Sequence, residues 1–90
     1  MQENSQSVTR ITLLTRPGCH LCDDMKEIIA RVQHKHPFVL DEIDISTRPD
    51  LEQQFGTEIP VLFRGTKIIA RYRITETQLF NEAVITRPAR

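Results

Sequence analysis

The chain has no excess of charge of either sign, 12 basic against 12 acidic side chains. That balance excludes an electrostatic reason to bind nucleic acid or an anionic membrane. It has no apolar run near the ~20 residues needed to cross a bilayer, so no membrane partner is expected. Met1 to Ser7 are polar and include Glu3. They hold neither the apolar stretch of a secretory signal nor the Arg-rich character of a transit peptide, so a cytoplasmic location is expected. There is no internal repeat, no low-complexity tract and no linker. Ninety residues make one small domain with a modest core.

Cysteine is scarce as well. The chain has two, Cys19 and Cys22, and they sit together in Thr15-Arg16-Pro17-Gly18-Cys19-His20-Leu21-Cys22. A close pair in a cytosolic chain points to metal or catalysis before a structural staple. A helix starting at about Cys19 would put the sulfurs one turn apart on one face, at disulfide range. It would also put the first thiol among unpaired backbone N–H groups, where negative charge is favoured.

The flanking pattern supports such a helix. Arg10 to Thr15 reads as a mostly buried strand, broken by Pro17-Gly18. Leu21, Met25, Ile28, Ile29 and Val32 then recur on one helical face, with Asp23 and Asp24 in the first turn and Pro37 as the stop. Phe38 to Ile45 is a second strand, acidic enough for a sheet edge. Ser46 or Thr47 starts a turn. Arg48 to Phe55 reads as a short helix with Gly56 as its C-cap. Ile59 to Phe63 is a third strand, Arg64-Gly65-Thr66 a hairpin turn and Lys67 to Arg71 the returning strand. Thr75 reads as an N-cap, with Gln78 completing a capping box. Leu79, Phe80, Ala83 and Val84 give the last helix its apolar face. The order is β-α-β-α-β-β-α, an α/β fold. Its four-stranded mixed sheet carries helices on both faces, with the first two strands parallel. Residues 9–86 form the domain, residues 1–8 a flexible N-terminal tail and residues 87–90 a frayed C-terminal one.

Three segments resemble the thioredoxin superfamily, and within it the small glutaredoxin-like proteins. They are R-P-G-C-H-L-C between first strand and helix, the E-I-D-I strand end, and F-G-T-E-I-P-V-L-F before a hairpin. The resemblance implies a thioredoxin-like fold and a thiol–disulfide oxidoreductase reducing protein or low-molecular-weight disulfides. It also implies a cis Pro60 lying against the cysteine pair, and an Ile59 backbone that pairs with incoming substrate. Gly18 leaves Cys19 open to approach, and Arg16 stands where a basic residue often meets a glutathione carboxylate. Between the cysteines the chain has His20-Leu21 in place of the usual Pro-Tyr. Where glutaredoxins carry Gly-Gly and an acidic pair, it reads Ala70-Arg71-Tyr72-Arg73-Ile74. Glutathione as co-substrate is thus one reading of the electron donor, and a separate reductase the other. No bound cofactor is expected, and the chain is expected to be a monomer.

In this chemistry Cys19 is the nucleophile and Cys22 resolves the mixed disulfide. The helix dipole, Arg16 and a protonated His20 favour the Cys19 thiolate, while Asp23 and Asp24 oppose it. Two other functions stay open: an iron–sulfur cluster carrier, and a non-catalytic binding module on the same fold. A zinc site of Cys19, Cys22, His34 and His36 would need ligands some 20 Å apart along a helix. Arg64, Lys67, Arg71 and Arg73 read as a solvated hairpin, with docking of an acidic partner as the alternative.

Overall fold

The computed structural model describes residues 9–85. Residues 1–8 and 86–90, which hold both expected tails and the expected last residue of the domain, and the side chains of Val84 and Ile85, lie outside the described residues. The elements follow the expected order: β1 (Arg10–Thr15), α1 (His20–Lys35), β2 (Val39–Asp44), α2 (Pro49–Phe55), β3 (Val61–Arg64), β4 (Lys67–Arg71) and α3 (Glu76–Phe80).

The sheet runs β2-β1-β3-β4. Strand β1 pairs in parallel with β2, Leu13 facing Glu42, and antiparallel with β3, Leu13 facing Leu62. This central strand is apolar on both faces, as Ile11, Leu13 and Leu14 require. Strand β2 lies at the edge, where its carboxylates reach water, and Asp41 pairs there with Arg10 at 2.6 Å. The β3–β4 hairpin turns on Gly65-Thr66, with Arg64 opposite Lys67. Gly65 takes φ +64° and Thr66 does not go positive, the pattern of a type II′ turn.

Each face of the sheet is covered separately. Helices α1 and α3 and the π-turn after α3 bury Met25, Ile29, Val32, Leu79 and Ala83 against Ile11, Leu13 and Leu62. On the other face Phe55 of α2 joins Leu14, Ile45, Ile59 and Val61. The Phe55 and Phe63 rings meet edge to face, centroids 5.7 Å apart.

Four local expectations are corrected. Helix α1 begins at His20, and Cys19 is its N-cap in an extended conformation. Ile45–Thr47 form a turn of 3₁₀ helix capped by the Asp44 side chain. Gly56 is the C-cap of α2 as expected, but in right-handed helical geometry, φ −56°, and not in the left-handed conformation usual for such a glycine. Its reason is space: a Cβ there would lie 2.5 Å from the Glu52 carbonyl and 3.0 Å from its carboxylate. The capping box at Thr75 is half formed. The Thr75 hydroxyl accepts the Gln78 N–H at 3.0 Å, but the Gln78 side chain donates to the Ile69 carbonyl instead. Beyond Phe80 the helix widens into a π-turn, Asn81–Ile85.

Candidate active site

The two cysteines end the β1–α1 connection. Gly18 enters it with φ +79°, a conformation that suits a residue without Cβ. Cys19 and Cys22 form a disulfide, with Cα atoms 5.2 Å apart. They differ in exposure. Cys19 is half-buried, whereas Cys22 is 1% exposed and packs with Leu14, Ile45, Phe55 and Ile59. Cys19 is therefore the sulfur that solvent reaches, and Cys22 is enclosed behind it.

As N-cap, Cys19 offers its sulfur to the helix. The Cys22 backbone N–H donates to Cys19 Sγ at 3.1 Å. Ordinarily Ser, Thr, Asp or Asn supplies this acceptor. A sulfur in that place takes an N–H bond and the positive end of a 16-residue helix, both of which favour thiolate over thiol.

The Ile59–Pro60 peptide is cis and Pro60 is fully buried. Ile59 shares the cluster of Cys22, and Cys19 packs against that cluster. The Pro60 carbonyl accepts the Tyr72 N–H at 2.8 Å. Tyr72 was not singled out by the sequence, yet it ties the site to the segment after β4. Its φ is +70°, and the Arg73 N–H bonds the Arg71 carbonyl at 2.7 Å across it. That is a γ-turn of the rare positive-φ kind. The Tyr72 hydroxyl adds a bond to the Thr57 carbonyl at 3.3 Å. The only signal in the sequence was its place in Ala70–Ile74, where glycines were expected.

Arg16 has a partner the sequence did not suggest. Its guanidinium is hydrogen-bonded and ion-paired to Glu52 of α2. That bond, and then the Glu52 charge working against slight desolvation, raises the Arg16 pKa above its ordinary value, with Asp44 adding to it. His20 is exposed in the first turn of α1. His34 and His36 sit at the opposite end of that helix, about 24 Å from its start. His36 packs on Phe80, ring centroids 4.7 Å apart. The zinc ligand set is therefore not brought together. Of the hairpin cations, Arg71 pairs with Glu58 at 2.8 Å and Lys67 with Glu82 at 3.7 Å.

The sequence of this chain matches the glutaredoxin-like domain (DUF836) over residues 10–83. The chain belongs to that family. A glutaredoxin-like protein of Dictyostelium discoideum is 36% identical over 83 residues, covering 86% of this chain and 77% of its own. Protein Ne2328 of Nitrosomonas europaea superimposes with a TM-score of 0.73 at 26% identity, over 84% of this chain and 92% of that one. Thioredoxin of Fasciola hepatica superimposes at 0.60 and 14% identity, over 90% and 83%. That likeness shows the thioredoxin-like fold alone. For a glutaredoxin-like domain, the paired cysteines at a helix start fit redox chemistry. No helix among the described residues is long and apolar enough to cross a membrane.

Proposed function

We propose that this chain is a cytoplasmic, monomeric dithiol oxidoreductase. The observation that carries the reading is the asymmetry of the cysteine pair. Cys19 is the half-exposed N-cap whose sulfur accepts an N–H, and Cys22 is buried directly behind it. In the reduced protein the Cys19 thiolate attacks a substrate disulfide. A mixed disulfide forms at Cys19 and one substrate thiolate leaves. The Cys22 thiolate then attacks Cys19 Sγ, the Cys19–Cys22 disulfide closes and the second substrate thiolate leaves. Two electrons pass from the pair to the substrate. Glutathione or a reductase returns them. Ile59 and Pro60 would flank the incoming chain, Gly18 would leave its path open, and His20 and Arg16 would adjust the thiolate.

Because Glu52 occupies Arg16, the free guanidinium a glutathione carboxylate would need is already engaged. A dedicated reductase is therefore the favoured donor. The test uses reduced wild-type protein and Cys22→Ser with 2-hydroxyethyl disulfide and a protein disulfide. Each is supplied with glutathione and its reductase, then with thioredoxin reductase. Wild type should turn over with a donor, and Cys22→Ser, treated with the disulfide in the absence of any donor thiol, should stop at a covalent adduct on Cys19 seen by mass spectrometry. If stoichiometric wild-type protein reduces neither disulfide, the reading is wrong.

A further inference from the structure

A groove of about 440 Å³ runs along α1 from its first turn, between that helix and the segment after β4. Its floor is Leu21, Met25, Ile28 and Ile74, and Leu21 lies between the two cysteines. One wall carries Asp24 and Glu27, and the other carries Tyr72 and Arg73. Tyr72 is 43% exposed, the exposed large hydrophobic residue among those described. The segment that holds it is fastened to the Pro60 carbonyl. The groove is thus joined to the redox site through two of its lining residues, Leu21 in the first turn of α1 and Tyr72 on the Pro60 carbonyl.

The charges on its walls are unpaired, unlike most of the cations elsewhere among the described residues. Arg10, Arg16, Lys26, Arg31, Arg48, Lys67 and Arg71 each have a carboxylate partner. Asp24 and Glu27 have none among the described residues, and neither has Arg73. Two unmatched carboxylates on the helix wall leave that side negative. An anion such as glutathione is repelled there, while a cation gains up to two exposed ion pairs.

We propose that this groove receives a polypeptide segment of the disulfide-bearing substrate, one with an apolar side chain and a lysine or arginine near its cysteine. The apolar side chain covers Leu21 and Ile28, the cation faces Asp24 and Glu27, and Arg73 takes a backbone carbonyl or acidic group on the far side. Spacing sets the register. Asp24 and Glu27 lie about 8 and 12 Å along α1 from Cys19. An extended chain advances ~3.3 Å per residue. The cation therefore falls about two to four residues from the substrate cysteine. This assignment rests on the oxidoreductase reading and names the substrate class for it.

The experiment compares two short peptides, each bearing a cysteine joined by a disulfide to thionitrobenzoate, a leucine, and either lysine or glutamate at the third residue from the cysteine. Release of thionitrobenzoate is followed with reduced wild type and with the double variant Asp24→Asn, Glu27→Gln. Wild type should favour the lysine peptide about tenfold in kcat/KM at low salt, less as salt rises. The double variant should lose that preference. Because the readout is a ratio within one protein, any change in Cys19 reactivity cancels. Equal rates, a preference for glutamate, or a preference that survives in the double variant overturns the proposal. If wild type reduces neither peptide nor 2-hydroxyethyl disulfide, the oxidoreductase reading fails. The groove is then decided by an NMR titration with the lysine peptide carrying serine for cysteine. Shifts at the Leu21, Ile28 and Arg73 amides uphold it, and their absence overturns it.

Discussion

The Arg16 guanidinium is held by the Glu52 carboxylate from 36 residues along the chain, and the pair lies over the bare Cα of Gly56. The contact ties the loop before the cysteines to α2. It also neutralises the guanidinium three residues before Cys19.

Replacing Glu52 with glutamine should therefore activate Cys19. The released guanidinium favours the thiolate, by the small amount that solvent screening leaves to an exposed charge. Alkylation of the reduced protein by iodoacetamide at pH 6 should speed up about threefold. An unchanged rate would show that Arg16 does not tune the thiol.

Tyr72 holds a backbone conformation that costs on the order of 1–3 kcal/mol outside glycine. Tyr72→Gly removes that strain but also the Thr57 hydrogen bond, and it loosens the unfolded chain. Its stability should stay within about 0.5 kcal/mol of wild type. Tyr72→Val, β-branched at the same φ, should cost about 2 kcal/mol. Urea unfolding separates the two, and equal values for both variants would argue against strain at this turn.

Leu13 is fully buried in the central strand, between Glu42 of β2 and Leu62 of β3. Leu13→Ala should cost about 3 kcal/mol through lost burial and the cavity left behind. In a domain of this size that lowers the Tm by about 15 °C, readable by calorimetry.

Acid should weaken the fold in a defined window. The Ser46 hydroxyl and N–H donate to Asp44 at 2.6 and 2.9 Å, and hold its carboxyl below the ordinary 3.8. The Arg48 side chain does the same for Asp50. A carboxyl lowered by folding binds its proton more readily in the unfolded chain. Its stabilisation is therefore complete above about pH 4 and is lost as the pH falls further, through the folded values. Urea midpoints should fall between pH 5 and pH 3, and Asp44→Asn should flatten part of that fall.

Much of this was legible in the residues. The 3.6-residue recurrence of Leu21, Met25, Ile29 and Val32 specifies a helix wherever it packs. The Pro17-Gly18 break fixes where that helix begins, to within one residue. The spacing of Cys19 and Cys22 then sets their separation, because one helical turn leaves little choice. The acidic β2 declared itself an edge strand for a local reason too: its carboxylates must reach water.

The rest needed contacts between distant segments. Nothing near Arg16 in sequence names Glu52, since the pair exists only once α2 crosses the far face of the sheet. Gly56 is the helix cap that local rules favour, but its right-handed geometry and close packing against Glu52 are set by the fold. Tyr72 looked like a departure from a glycine pattern, and only the fold shows it in a left-handed turn fastened to Pro60. The sequence by itself therefore determined the secondary elements and the thiol pair. The tertiary structure decided which charges meet and which stay unmatched beside that pair, because ion pairs and grooves form between elements and carry no local pattern.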